Sequence, residues 1–462
     1  MFKDEDLDPI QVTSLWKKER DLTDSGIQTR ELETFDVAVQ SIKRKHRQVQ
    51  TDEDIEEDIR LEDDDSPELS DFMQRIGPLM IHELQKNMRS HAFDVVLTLT
   101  CYLRYGRYDH EDWCTHKSAL CTWNLDRRTL DANKPDTVMD LSSCLMCIAY
   151  HPQKPGLIVG GTFNGEVLVW DLSREDDILV ASSGIGDDSH REPISKVEWV
   201  KDQDAKGAKY KIVSVSSDGK ILVWQRNAKK HKLKLSDGFI LLTESLPRHL
   251  RVKAKRGDQE MGVTCISFNP LDETTFLIGS ESGGIFKCST NTHGTPAGRE
   301  LVSSILLSSP VTFSFSPHHG PVYSVDSSPY HRNLFISCGT DNTARIYSLL
   351  QMQPVLTLEP SAGYLYSAKW SPVRPLVVAV VTESGQLLLY DLKRSRTSPV
   401  HKLNSSERNR PLYSVQFNHK QPLLATAGAD GLIKIWHLSD DLTSPEANEN
   451  DVLEEIAGAA LK

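Results

Sequence analysis

An apolar strand closed by an aromatic or small residue recurs seven times between Ala119 and Leu438, and this recurrence limits what the chain can fold into. Five copies align directly: 161–171 around Trp170, 215–224 ending at Trp224, 339–347 ending at Tyr347, 382–391 around Tyr390, and 428–436 ending at Trp436. Each carries an Asn-Gly, Asp-Gly or similar two-residue turn before its strand. Such pairs supply the positive φ angles that a tight β-hairpin requires. Asp218, Asp341 and Asp430 occupy matching turn positions. A sixth copy, 119–126, contains Trp123, and a degenerate seventh, 282–288, ends at Cys288.

A repeat of this length and pattern is of the WD type, in which four antiparallel strands form one propeller blade. The expected fold is therefore all-β: a seven-bladed WD-repeat β-propeller over 91–438. Inner strands are expected at 144–150, 193–199, 263–268, 321–325, 364–370 and 412–417. Their alternation places Val197 with Trp199, and Val415 with Phe417, on one side, where blade-to-blade packing needs bulk. The Gly-His pair usual before an inner strand is mostly replaced by X-Pro, at Pro193, Pro321 and Pro411. A buried His–Ser–Asp–Trp network is accordingly expected to be partial at best. The first blade is expected to be incomplete, because no inner strand precedes 98–106 and 119–125, and an open edge should result.

Composition divides the chain. Of its 462 residues, 39% are apolar, and the net charge is -12. Residues 1–90 hold most of the acidic excess, and 51–71 carry twelve carboxylates against Arg60 alone. That self-repulsion predicts a largely disordered acidic arm over 1–65. Ser66 and Pro67 then open an amphipathic helical segment over 66–90. Its stripe is Leu69, Phe72, Met73, Ile76, Met80 and Leu84, at spacings of three and four. The tail 439–462 is acidic and helix-prone, and is expected to fray or to pack on the rim. No apolar run approaches a membrane span, so no membrane insertion is expected, and the first residues lack the apolar core of a secretory leader. Eight scattered cysteines read as reduced core residues of a cytosolic protein.

Three segments strengthen the repeat assignment: 319–348, 364–375 followed by Asp391-Leu392, and 158–171. Together they resemble the blades of dynein intermediate chains. Within that family, 105–113 and 123–128 resemble the cytoplasmic dynein 2 branch, the motor of retrograde intraflagellar transport. The resemblance runs from about Ser70 to Leu438. It implies that a stretch of the family pattern is absent between Asp94 and Val95. It further implies a non-catalytic motor subunit whose propeller binds the dynein 2 heavy chain. A second dynein 2 intermediate chain is an implied partner, and cytoplasm, cytoskeleton and cilium (axoneme and basal body or centrosome) are the implied locations.

Two short segments of the arm have a mechanism of their own. Ile27-Gln28-Thr29 and Val49-Gln50-Thr51 each place Gln between a β-branched residue and Thr. An extended segment of this kind adds as a strand to an exposed sheet edge, where main-chain bonds give affinity and alternate side chains give specificity. These triplets resemble the motifs read by LC8-type dynein light chains, and two of them on one arm would bind two dimers side by side. The stripe at 69–84 either docks on the propeller flank or, as the family implies, on a roadblock-type light chain.

Other constellations read as structural. Asp109, His110, Asp112, Cys114 and His116 crowd one loop without zinc-site spacing, so no metal is expected. Cys144 and Cys147 form C-x-x-C inside a strand and read as core. The basic runs 229–234 and 248–256 lack interleaved aromatics, so no nucleic-acid role is expected. No phosphate loop, catalytic triad or cofactor site is recognisable, which argues against an enzyme. The alternative function at this point is a generic WD-repeat adaptor, such as a ubiquitin-ligase substrate receptor or a chromatin scaffold.

Overall fold

The computed structural model describes Cys114 and residues 118–123, 134–174, 177–202, 209–226, 231–243, 260–292, 304–406 and 409–458. All belong to one compact unit. The chain forms a β-propeller of antiparallel sheets laid down in sequence order. A two-stranded sheet comes first: β1 (Ser118–Thr122) and β2 (Thr137–Leu141). Five four-stranded blades follow. The first comprises β3 (Leu145–Tyr150), β4 (Leu157–Thr162), β5 (Val167–Asp171) and β6 (Leu179–Ser182). The second comprises β7 (Ile194–Lys201), β8 (Tyr210–Ser216), β9 (Lys220–Arg226) and β10 (Leu233–Ile240). The third comprises β11 (Val263–Asn269), β12 (Asp272–Ser280), β13 (Ile285–Ser289) and β14 (Val311–Ser314). Next come β15 (Val322–Ser327), β16 (Leu334–Gly339), β17 (Ala344–Ser348) and β18 (Pro354–Leu358). The fifth comprises β19 (Leu365–Trp370), β20 (Val377–Thr382), β21 (Gln386–Asp391) and β22 (His401–Asn404). A three-stranded blade closes the series: β23 (Leu412–Phe417), β24 (Leu423–Gly428) and β25 (Ile433–His437).

The described residues thus form six blades, with the two-stranded β1–β2 sheet standing where the sequence places an incomplete first blade. The propeller class is as expected and the count of blades differs. Among the described residues, β1–β2 has no inner strands and the outer edge of β25 has no partner. The burial pattern registers the open edge. The third strand β21 is buried along nearly all its length, whereas β25 leaves Ile435 36% exposed.

Packing explains the strand sequences. Each middle sheet is covered on both faces, so its second strand reads as a continuous apolar run, as in β20. On β20, Val378 and Val380 meet Leu334, Ile336 and Ile346 of the preceding blade. Val377, Ala379 and Val381 meet Val415, Phe417 and Leu424 of the following one. Val197 is fully buried and Trp199 packs against the same core. Burying one such large apolar side chain contributes about 1.5–3 kcal/mol. The predicted tight turns are present, with positive φ at Gly165, Gly219, Gly283, Asn342, Gly385 and Gly431. A Cβ at Gly165 would lie 2.2 Å from the His190 carbonyl oxygen, so the turn also lets the next blade's loop approach.

After β25 the chain forms α1 (Asp440–Thr443) and α2 (Glu449–Gly458). Of the two outcomes expected for the tail, packing is the one observed for 440–458. Leu442 joins the core between the last two blades, and Leu453, Ile456 and Ala457 pack with Trp370 and Tyr390.

Candidate partner-docking surfaces

All six inner strands begin with the same irregularity. The register with the second strand shifts between the first and third residues of β3, β7, β11, β15, β19 and β23. A bulge leaves one residue unpaired and redirects its side chain. The bulged residues are Met146, Ser195, Thr264, Tyr323, Tyr366 and Tyr413. The last three occupy consecutive blades and form a cluster. Ring centroids lie 5.1 Å apart for Tyr323–Tyr366 and 5.0 Å for Tyr366–Tyr413. Tyr364 lies just before β19 with its N–H donating to Glu383 Oε2 at 3.1 Å. Burial first, then Tyr364 and Glu383, push the Tyr323 hydroxyl above its ordinary pKa.

Three residues further along, β7, β15 and β19 carry charge, as Glu198, Asp326 and Lys369. Glu198 Oε2 accepts the Phe268 N–H at 3.3 Å, and Asp326 Oδ2 accepts the Trp370 N–H at 2.8 Å. These are equivalent staples from one blade to the next. Lys369 Nζ lies 2.5 Å from Asp326 Oδ1. Burial works against its charge, but Asp326 outweighs burial and raises its pKa. Burial, then Lys369, lowers that of Lys196, and burial raises that of Glu198. Ser195 Oγ donates to the Val263 carbonyl at 2.8 Å and Ser324 Oγ to that of Ala368 at 3.2 Å, further joining neighbouring blades.

The hydrogen-bond network expected to be partial is complete in the β7–β10 blade. Trp224 Nε1 donates to Ser214 Oγ at 2.8 Å, Ser214 meets His190 Nε2 at 2.7 Å, and His190 Nδ1 lies 3.2 Å from Asp218. The next version is His318, 2.7 Å from Ser337 Oγ and 2.9 Å from Asp341, with Tyr347 donating separately to the Ser316 carbonyl at 2.7 Å. In the last blade Ser405 replaces the histidine, 3.1 Å from Thr426, which accepts from Trp436 Nε1 at 3.0 Å. Asp430 there caps its turn through the Leu432 N–H. Sequence reasoning missed His190 and His318 because it sought His next to the strand; each stands just upstream of the X-Pro pair (Pro193, Pro321). Trp170 is buried, Tyr390 is buried with its hydroxyl pushed up to about 12, and Trp123 is half-buried with Nε1 unpaired.

At the opposite end from the tyrosines, Arg374 is fully buried. Its Nε donates to Glu449 at 2.6 Å, and its terminal nitrogens meet Asp391 at 3.1 Å and Glu446 at 3.2 Å. Lys393, Arg394 and Arg396 add pairs to Glu446, Asp441 and Glu455. The basic end of the fifth blade therefore already holds an acidic occupant, the tail.

The arm triplets at Gln28 and Gln50, the stripe 69–84, the basic run 248–256 and the first two residues of the run 229–234 lie outside the described residues, as do Asp109, His110, Asp112 and His116. The seven described cysteines are buried. Burial pushes the Cys147 thiol up to about 12 and Cys265 to about 11, as a core reading requires.

Comparison with known proteins agrees with this architecture. The family model for the dynein axonemal intermediate chain 3 WD40 domain matches residues 115–237. The WD domain, G-beta repeat model matches 309–348 and 397–437. The chain is similar to human cytoplasmic dynein 2 intermediate chain 2, at 38% identity over 431 residues, covering 85% of this chain and 80% of the relative. It is 36% identical to the mouse protein of that name over 497 residues, covering 98% and 92%. That alignment is longer than the 462-residue chain, so it opens gaps within it. A ciliary dynein intermediate chain 3 of Heliocidaris crassispina is 27% identical over 71% of this chain and 49% of its own length.

Proposed function

The chain belongs to the dynein intermediate chain family, in its cytoplasmic dynein 2 branch, and from that membership we propose how its parts serve the motor. It is a non-catalytic subunit. The propeller grips the dynein 2 heavy-chain tail. The arm binds LC8-type light chains through Ile27-Gln28-Thr29 and Val49-Gln50-Thr51, and a roadblock-type light chain through the 69–84 stripe. The arm also pairs with a second dynein 2 intermediate chain. The assembly supports minus-end-directed retrograde intraflagellar transport and cilium assembly. It resides in the cytoplasm, the cytoskeleton and the cilium, at the axoneme and the basal body or centrosome.

The observation that carries this reading is the 38% identity sustained over 85% of the chain with a relative named for dynein 2. A rigid propeller suits the grip, since its inter-blade staples fix the presenting loops. The test is co-purification of the full chain with a dynein 2 heavy-chain tail, an LC8-type dimer and a roadblock-type dimer. All three are expected to travel with it. Gln28→Ala with Gln50→Ala is expected to abolish LC8-type binding in calorimetry and to leave the heavy chain bound. A chain that purifies without the heavy-chain tail refutes the proposal.

A further inference from the structure

Among the described residues, six serines stand directly before a proline: Ser309, Ser316, Ser328, Ser371, Ser398 and Ser444. Ser328 and Ser371 are buried, and Ser309 and Ser316 are half-buried. Ser398 and Ser444 are exposed, and they stand on the two sides of one clasp. Ser398 lies in the loop between β21 and β22; Ser444 follows α1. The loop 393–399 carries Lys393, Arg394 and Arg396 and no carboxylate, whereas 440–458 carries seven carboxylates and no lysine or arginine. Lys393 Nζ lies 2.8 Å from Glu446, an Arg394 terminal nitrogen 2.9 Å from Asp441, and one of Arg396 3.4 Å from Glu455. Pairs between exposed groups are individually weak and screened by salt, so a clasp made of them is easily adjusted. What it holds down is α2, whose Leu453 and Ile456 pack with Trp370 and Tyr390.

We propose that Ser398 is a phosphorylation site whose phosphate loosens the acidic tail from the fifth blade. The Ser398 hydroxyl lies 2.9 Å from Ser395 Oγ, its one side-chain hydrogen bond among the described residues, so its modification breaks no buried contact. The reagent is ATP on a proline-directed serine/threonine kinase. The Ser398 oxygen bonds to the γ-phosphorus, the bond from that phosphorus to the β,γ-bridging oxygen breaks, ADP leaves, and the hydroxyl proton passes to the kinase's base. The product carries a charge of about −1.5 to −2 at neutral pH. It stands within five residues of all three cations, competes for them with Asp441, Glu446 and Glu455, and repels those carboxylates. The buried Arg374–Glu449 pair is not part of the exposed clasp, so the tail loosens while the propeller keeps its fold. A phosphate on Ser444 falls on the acidic side, where it adds to what the cations attract, and the two sites must be tested apart.

The experiment treats the purified full chain carrying Ser444→Ala with a proline-directed kinase and ATP, beside the same chain with Ser398→Ala added. Mass spectrometry locates the phosphate, and hydrogen exchange reads the amides of 440–458. Unchanged exchange in β19, β20 and β21 certifies the fold. Phosphate is expected on Ser398 of the folded protein, with exchange in 440–458 at least about threefold faster than in the untreated chain. That difference is expected to shrink as salt is raised, because the clasp is exposed. The chain with Ser398→Ala is expected to keep its tail protected after the same treatment. A folded chain that takes no phosphate at Ser398 overturns the proposal. So does a chain phosphorylated there whose tail exchanges no faster, or one whose tail loosens equally with Ser398→Ala.

Discussion

Arg374 Nε lies 2.6 Å from Glu449 Oε1, so a loop between the first two strands of the fifth blade is tied to a helix that follows the last. The two residues are far apart in sequence, and both are buried. Asp391, at 3.1 Å, completes the pairing from the third strand of the same blade. A buried guanidinium is tolerable only with its hydrogen bonds and counter-charges in place.

Arg374→Ala leaves Glu449 buried without its cation and Asp391 with only the partly exposed Arg394, 3.4 Å away. The expected cost is about 3–5 kcal/mol, because removing one partner strands buried charge in a poor dielectric. Denaturant unfolding measures it, and limited proteolysis should cut the variant first within 440–458. A loss below about 1 kcal/mol, with the tail still protected, contradicts this account of the anchor.

The strand pattern made the blades legible, because strands buried on both faces and turns needing positive φ each leave a local signature. Gly219 and Trp224 could be read directly. Arg374 could not. Nothing local distinguishes it from the exposed Arg396, and its burial depends on a helix contributed more than sixty residues later. The placement of Tyr366 in the tyrosine cluster was not legible for a related reason. Straight alternation from the start of the strand ignores the bulge that redirects the second residue, and that bulge is visible only in the pairing of β19 with β20.

His318 is faced by Asp341, Ser337, Thr343, Arg345 and His319. Burial is the largest influence and holds its pKa below the ordinary 6.5 despite Asp341. Between the two values the unfolded chain binds a proton that the folded one refuses, so stability falls as pH drops below about 6.5, by up to about 1.4 kcal/mol per pH unit. Asp341 acts at lower pH. Burial opposes its charge, but His318 and Thr343 outweigh it and hold the carboxyl below 3.8. Its stabilising contribution is present above 3.8 and is lost as pH falls through the depressed value. His318→Gln is expected to be less stable at neutral pH and to show a shallower stability slope from pH 6.5 to about 5. Equal slopes for the two proteins would contradict a neutral, buried His318.

Thiol chemistry separates a core reading of Cys144 and Cys147 from a redox one. Burial raises the Cys147 thiol to about 12, Cys265 to about 11, and Cys288 and Cys338 well above 9.0. A thiolate is the reactive form, so these groups are inert at neutral pH. The native protein is expected to leave all four unmodified by a thiol-specific disulfide reagent over minutes, and to expose them on unfolding. Rapid modification of Cys147 in the folded protein, detected by mass spectrometry, would falsify the assignment.

The outer edge of β25 bears on how the chain behaves in concentrated solution. Its N–H and C=O groups on that side have no partner among the described residues, and Ile435 and Leu432 are 36% and 54% exposed. An unpaired edge with apolar side chains is a template for another strand, and proteins usually blunt such edges with lysine. Lys434 is the single charge before His437 on β25, and it points to the opposite face from Ile435. Ile435→Lys should therefore suppress concentration-dependent association while changing stability by less than about 0.5 kcal/mol, since the residue is already over a third exposed. Light scattering over a concentration series decides it. If the edge governs association, the variant stays monodisperse at concentrations where wild type grows; identical growth in both places the sticky surface elsewhere.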